Sequence, residues 1–446
     1  MSLLLDITPL RRSPEFRRLW WGLGISNLGA QLTQVAVGLQ VYALTGSSLA
    51  VGVLGICALV PLVALGLYGG ALTDLYDRRK VALIASSGLW LISLALAVQA
   101  WSGASSVYLL YGLVAAQSAG FAINNPARSA IIPRLVGPEL LPAANVLQTT
   151  AWNVALTVGP LLGAFLSAWN FGAAYTLDVV LFTAALWALW RLPDLPPLPD
   201  PETGENSAED APAGADPNAA GRPRRRPLGF ASVLEGLRYL ATRPNVRTSF
   251  LVDLIAMITA MPRVLYPAVG VLFLGGGANT TGMLNAAFAI GAVLAGLLSG
   301  RLVQVRMQGR VIIGAIISYG LAVASFGLVL TAVGGTTPEH TLIIPLIGAA
   351  VCLAVCGGAD SISSVFRNTL LQSATPDRMR GRLQGVFIVV VAGGPRLGDL
   401  VLGSWADWWG ENWAAVVGGF SCVALICLAA LWQRRFLAYD ARDPQP

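Results

Sequence analysis

Residues 70–80, GALTDLYDRRK, close one long apolar run and open the next. Five charged side chains crowd this turn: Asp74, Asp77, Arg78, Arg79 and Lys80. Roughly twenty apolar residues lie on either side, each run long enough to cross a hydrocarbon core of ~30 Å. A tight, basic turn between two such spans belongs on the cytoplasmic face of a membrane. On composition alone the turn is an inside-positive hairpin and nothing more, so the rest of the chain decides how much further it can be read.

Of the 446 residues, 55% are hydrophobic and 12% are charged, against about 25% charged in an ordinary soluble domain. The mean hydropathy is +0.66, and the apolar residues fall in blocks of roughly twenty, the pattern of a polytopic membrane protein. The net charge is +6. No basic residue falls in a predicted outer loop, and only Arg263 and Arg396 fall deep inside spans. The others sit in the termini and alternate loops, which places both termini in the cytoplasm. The basic charge therefore follows from topology and does not point to nucleic acid. The first residues, MSLLLDITPLRRSPEFRR, lack a short apolar core followed by a cleavage site, so no signal peptide is read. The five cysteines, Cys57, Cys352, Cys356, Cys422 and Cys427, are odd in number and lie within apolar runs. They read as thiols in helix packing, not as a disulfide framework or a metal site. The single histidine, His340, lies in a predicted outer loop, so neither a metal centre nor another cofactor is expected.

The hydropathy pattern predicts an all-α protein of twelve transmembrane helices, over residues 19–44, 49–72, 81–101, 107–124, 145–169, 171–191, 248–273, 281–300, 311–333, 341–366, 385–405 and 412–432. Ser13-Pro14 opens the first helix, with Ser as the cap and Pro in the first turn. Asn27, Gln31 and Gln34 follow at i, i+4 and i+7 and form one polar stripe, which must face protein or water. Such a stripe either bridges neighbouring helices or lines a cavity. The fourth span carries Gln117 and runs into a basic inner loop, NNPARSAIIPRL. The fifth contains Gly159-Pro160-x-x-Gly163, where Pro removes a backbone donor and Gly permits close approach, so this helix bends and packs tightly. Residues 193–229 are rich in Pro, Ala, Gly and acids and end in an arginine cluster; they read as a disordered cytoplasmic linker. Phe230, Val233, Leu234, Leu237 and Leu240 then follow helical spacing, as in an amphipathic helix on the inner membrane surface.

The second half echoes the first. Residues 300–310, GRLVQVRMQGR, line up with 70–80 but place Gln304 where Asp74 stands. Residues 367–384 align without gaps to 128–145, and Gly394-Pro395-Arg396-Leu397-Gly398 is the counterpart of 159–163. Three echoes in register divide the chain into an N-terminal six-helix bundle (1–192), the linker (193–229) and a second unit (230–446) of amphipathic helix plus six-helix bundle.

Gly70-x-Leu72-x-Asp74-x-x-x-Arg78-Arg79 resembles the signature between helices 2 and 3 of the major facilitator superfamily, and duplicated six-helix halves resemble its architecture. Gly159-Pro160-x-x-Gly163 resembles part of its antiporter motif, although Ala155 replaces the upstream glycine. The stretches MPRVLYPA, SISSVFRNTLLQSATPDRMRGRLQG and LPDLPPLP, with Asp77 in place of the usual Gly, resemble the enterobactin-exporter branch of that superfamily. The resemblance implies two pseudo-symmetric bundles and transport by alternating access. It implies a latch in which Gly70 allows close helix contact, Asp74 caps or pairs across the seam between the halves, and cytoplasmic helix ends hold Arg78 and Arg79. The mid-helix-4 arginine of many antiporters has no match in YGLVAAQSAG. Helix 6 is peripheral in such a fold, so Asp178 is expected to make a structural hydrogen bond, whereas helices 7 and 10 line the cavity.

A charge at the bilayer centre costs ~3 kcal/mol or more, so each needs a reason. Arg263 and Arg396 stand about 21–23 Å from the inner helix ends at ~1.5 Å per residue, near mid-membrane. Asp399, three residues on, can neutralise Arg396 on the same helix. Arg263 has no acid at i±3 or i±4, so its partner must come from another helix or from a substrate. Asp253 and Asp360 stand closer to the cytoplasmic ends as candidate proton carriers. The leading reading is a secondary exporter in a bacterial inner membrane, a monomer in contact with lipid, that exchanges a cytoplasmic small molecule for external protons. A siderophore such as an enterobactin-like catecholate is the leading substrate; a multidrug pump and an uptake symporter are alternatives. No phosphate-cradling Walker motif is present. A membrane enzyme would need a nucleophile–base pair or a metal cluster, and a sensor would need a folded soluble domain; neither is evident.

Overall fold

A computed structural model describes residues 6–104, 106–193, 238, 240–298, 305–373 and 377–440, with side chains except at 67–75, 138, 142, 297–298, 372–373, 377–389, 391 and 392. The predicted linker and nearly all of the predicted amphipathic helix therefore lie outside the described residues. The long helices are α1 (Pro14–Thr45), α2 (Ser48–Leu75), α3 (Arg78–Trp101), α4 (Val107–Trp169) and α5 (Phe171–Trp190), then α6 (Pro244–Thr259), the short α7 (Tyr266–Leu272), α8 (Gly277–Leu298), α9 (Gln308–Val333), α10 (Ile343–Ser373), α11 (Asp377–Trp409) and α12 (Glu411–Trp432). Ten segments among the described residues are long and apolar enough to cross a bilayer, counting the two arms of α4 separately and α6 with α7 as one. α1 has spanning length but is less apolar, because it carries the amide stripe, and α11 is not among the ten because the side chains of its first part lie outside the described residues. The outward-facing surface is greasy: Val60, Ile84, Ile344 and Leu428 are exposed, and Trp101, Trp169 and Trp432 lie exposed at helix ends, where indole rings meet the headgroup layer. This is an all-α, multi-pass membrane protein.

The start of α1 follows its sequence signal. Ser13 is extended and its Oγ accepts from the Phe16 N–H at 3.1 Å, a cap worth ~1 kcal/mol. Elsewhere the structure departs from expectation in three places. The loop expected between spans four and five is helical, and α4 runs through it, broken only at Gly137 (φ 72°). The reason is a hidden apolar face: Ala127, Ile131, Ile132 and Val136 are buried in one cluster with Phe16, Leu19, Ala82 and Leu189. α10 likewise continues through Arg367 to Ser373. Span seven, expected as one helix, is interrupted between α6 and α7 by a 3-10 turn, Pro262–Leu265. Pro262 lacks an N–H and forces Met261 into extended backbone (φ −89°, ψ 93°), which ends α6.

Buried apolar side chains gather in two clusters built from residues up to 192 and one built from residues after 239. Two seams join these groups: α2 against α11, and the second arm of α4 against α8. At the first, a Cβ added to Gly52 would lie 2.9 Å from the Asp399 carbonyl carbon and 3.1 Å from the Leu400 Cα, so no larger side chain fits.

Candidate functional site

Two charged clusters occupy the second group of helices. In the first, Arg367 of α10 is 5% exposed and its Nη1 pairs with Asp253 Oδ1 of α6. Its Nη2 lies 4.0 Å from Asp360 Oδ1, two turns back along α10. The two acids differ sharply in access: the Asp253 side chain is 4% exposed, the Asp360 side chain 46%. A narrow cleft beside them is lined by Met257, Met261, Tyr319 and Ser363. The buried guanidinium is held by a charge-assisted hydrogen bond to Asp253, whose removal would leave the charge buried at a cost, and by a longer ion pair to Asp360.

In the second cluster Arg263 Nη2 meets Asp399 Oδ2 at 3.2 Å. The carboxylate expected to neutralise Arg396 on its own helix thus also serves the arginine of the neighbouring element. The cause is local geometry, since the 3-10 turn after Pro262 carries Arg263, and α11 packs directly on α6, where a Cβ on Gly398 would lie 3.3 Å from the Ile258 Cα. Arg396 is half-buried and electrostatically coupled to both Arg263 and Asp399. Two guanidinium groups thus lie within electrostatic reach of this carboxylate, one of them in contact with it.

The first group of helices contributes amides. Asn27 and Gln31 are half-buried and Gln34 is exposed on α1, and Gln117 is half-buried on α4. α1 also borders α7, and α2 borders the Arg263 turn. Gly159 and Pro160 lie in the second arm of α4, against α1: a Cβ on Gly159 would stand 2.6 Å from Gln31 Cβ and 3.0 Å from the Leu28 carbonyl oxygen. The glycine sets how deeply Gln31 sits. The expected latch is described in part. Gly70 and Asp74 lie in α2, but their side chains are outside the described set. Arg78 Nη1 donates to the Ala130 carbonyl at 3.2 Å and Arg79 Nη2 to the Trp190 carbonyl at 2.6 Å. Asp77 caps α3 by accepting from the Arg79 and Lys80 N–H groups at 2.8 and 3.3 Å. Asp178 is 1% exposed and accepts from Ser93 Oγ at 2.7 Å, a packing role.

Sequence reading placed only Arg263 and Arg396 deep in the helices, and this is corrected by Arg128 and Arg367. Arg128 is 8% exposed. It donates to Ser26 Oγ at 3.2 Å and Ser86 Oγ at 3.1 Å and lies 5.6 Å over the Phe182 ring. The signal was present: the gapless alignment of 128–145 with 367–384 puts the two arginines at equivalent positions. A second overlooked group is the Gln40–Gln99 amide pair, to which the buried Tyr175 hydroxyl donates at 2.6 Å.

Comparison with known proteins agrees with this architecture. The Major Facilitator Superfamily profile matches residues 19–398. The chain is 28% identical to the "Enterobactin exporter EntS" of Salmonella typhi, over 98% of this chain and 97% of that protein. It is 29% identical to the protein of the same name from Citrobacter koseri, over 100% and 97%. Among solved structures, the nucleoside transporter NupG superimposes with a TM-score of 0.66 at 14% identity, covering 95% of this chain and 98% of NupG. A POT family transporter in complex with 5-aminolevulinic acid gives 0.68 at 13% identity, covering 95% and 97%.

Proposed function

We propose, from the premise that this chain belongs to the Major Facilitator Superfamily, that it is a proton-coupled exporter of a bulky, polar, anionic molecule of the catecholate siderophore class. The observation that carries this reading is the pair of guanidinium groups, Arg263 and Arg396, around Asp399. Two cations against one anion leave excess positive charge, which suits phenolate, catecholate or carboxylate oxygens as acceptors. The side chains of Asn27, Gln31, Gln34 and Gln117 have no hydrogen-bond partner among the described residues. They are thus available to a polar ligand. The relatives named as enterobactin exporters support the same substrate class.

On this reading the halves, 1–192 and 230–446, rock about the α2/α11 and α4/α8 seams. Asp360, open to the cleft, takes the proton, while Asp253 keeps Arg367 in place. When Asp360 is protonated, Arg367 keeps only Asp253 as a charged partner. The proton is thereby felt at the α6–α10 contact without any charge crossing the bilayer uncompensated. The basic turns and both termini lie in the cytoplasm of a bacterial cell, and the protein works as a monomer in the inner membrane. The test is metabolite profiling of medium and cytoplasm in iron-starved cells with and without the gene. Catecholate trapped in the cytoplasm on deletion supports the reading. Unchanged secreted siderophore with new sensitivity to cationic dyes replaces it with a drug pump.

A further inference from the structure

Four hydrogen bonds converge where α1 hands over to α2. Ser47 caps α2 from its own chain, its Oγ accepting from the Ala50 N–H at 3.1 Å. The same hydroxyl donates to Asp407 Oδ2 at 2.6 Å, and Asp407 Oδ1 accepts from the Leu49 N–H at 3.2 Å. Ser48, fully buried, donates to Glu411 Oε1 at 3.1 Å. Asp407 lies near the end of α11 and Glu411 opens α12, so a carboxylate of one half caps a helix of the other and a second accepts from that helix's first hydroxyl. The first N–H groups of a helix have no partner within it, and negative charge is favoured there. The cap is therefore stronger than a chance contact between two polar surfaces.

We infer that Asp407 and Glu411 form a releasable clasp that holds the outer face of the transporter shut and must open for substrate to leave. The inference rests on the exporter reading for its direction, but not for its existence. Three features single out this contact. It lies at the end of the bundle away from the chain termini, on the α2/α11 seam. Asp407 is exposed, so water can take over its hydrogen bonds as the seam parts and the release is reversible. The other seam is built differently: a Cβ added to Gly282 of α8 would lie 2.6 Å from the Ala164 Cβ and 3.6 Å from the Leu161 Cα, so glycine packs there on small apolar surface. Small apolar surfaces slide with little directional cost, whereas charge-assisted hydrogen bonds are either made or broken. Of the two seams, α2/α11 is the one that can snap between discrete states.

The test uses the full chain in nanodiscs, with the five native cysteines replaced and spin labels at Ala104→Cys and Thr336→Cys. These two exposed sites lie on connections at the far end, one in each half. Pulsed dipolar spectroscopy then reads the open-to-closed ratio of that face. Asp407→Ala removes both of its bonds and should raise the ratio about tenfold or more, while Asp407→Asn, which keeps an acceptor for Leu49, should fall between. Ser47→Ala, which leaves both carboxylates in place, should shift the distribution the same way by less. A wild-type distribution in both Asp407→Ala and Ser47→Ala overturns the clasp. If Asp407→Ala does not elute as a monodisperse protein, Asp407→Asn and Ser47→Ala decide, and an unshifted distribution in both overturns it equally. The measurement needs no substrate, so a failure of the siderophore reading leaves the result standing.

Discussion

Asp253 and Asp360 both face Arg367, yet neutralising them should have opposite consequences. Asp253→Asn removes the carboxylate paired with a guanidinium that is 5% exposed. The partner left behind is Asp360 at 4.0 Å, too far for a good hydrogen bond. Breaking a buried pair by removing one member costs roughly 3–5 kcal/mol, because the remaining charge stays buried without compensation. For a bundle of about 200 residues, each kcal/mol moves Tm by about 2–4 °C, so Asp253→Asn should melt on the order of 10 °C lower in detergent. Asp360→Asn removes a side chain that is 46% exposed and only at the edge of ion-pair range. Such a pair is worth about 0–1 kcal/mol, so Tm should move by no more than about 4 °C.

The transport assays should separate in the other direction. In proteoliposomes, Asp360→Asn should lose transport driven by a pH gradient while exchange of labelled for unlabelled substrate survives, since only the proton site is gone. Asp253→Asn should lower both in proportion to the loss of folded protein. Full pH-driven transport in Asp360→Asn, or an Asp253→Asn protein as stable as wild type, would refute the division of labour drawn between the two acids.

Reporter fusions after Gly103 and Gly335 should read outside and one at Gly221 inside; an inside signal at Gly103 contradicts the topology. Asp74→Asn should leave the protein inserted but strongly reduce turnover in vesicle transport, whereas Gln304→Ala, in the repeat lacking the acid, should matter far less; equal losses would show that the two copies are not specialised. Arg263→Lys should keep part of the substrate binding measured by calorimetry and Arg263→Gln should lose most of it, because a point cation replaces the fork in one and no cation remains in the other. Gly159→Val should lower Tm, since a Cβ added there would stand only 2.6 Å from Gln31 Cβ; an unchanged Tm would mean that α1 and α4 separate without cost.

What sequence reading could see was whatever repeats or has a fixed period. The Gly–Pro pairs at 159–163 and 394–398 were placed at equivalent points, and both glycine-bearing stretches do press on the first long helix of their own half, at Leu28–Leu32 and at Met257. What it could not see was tertiary choice. A hydropathy window stops a span at its first arginine, so Arg128 and Arg367 read as loop residues. The amphipathic face of Ala127, Ile131 and Val136 that carries the helix onward lies beneath that charge. The i, i+3 rule finds Arg396 beside Asp399 but knows only one helix, so it misses Arg263, which the fold brings to 3.2 Å. The break at Pro262 was written in the residues, but its effect on where Arg263 points depends on what packs against the turn.

The equivalent arginines show how one scaffold has been charged in two ways. Arg128 is settled among hydroxyls and an aromatic face, neutral groups whose state does not change with pH. Arg367 is settled against two carboxylates, one sealed and one open. A cation among hydroxyls has one stable arrangement, whereas a cation between an inaccessible acid and an accessible one has a partner that a proton can remove. Arg263, Asp399 and Arg396 belong to the same half as Arg367. If substrate charge and proton are both read there, their coupling needs to travel only along α6 and its contacts with α10 and α11, and the first half serves as the surface against which that half moves. Exchanging the environments tests this. Placing an acid beside Arg128 through Ser26→Asp should stabilise the first half without creating a second proton site, because a carboxylate that is already paired and buried has no route to water. A second proton per cycle in that variant would show that pairing with an arginine, not access to water, is what makes a proton site.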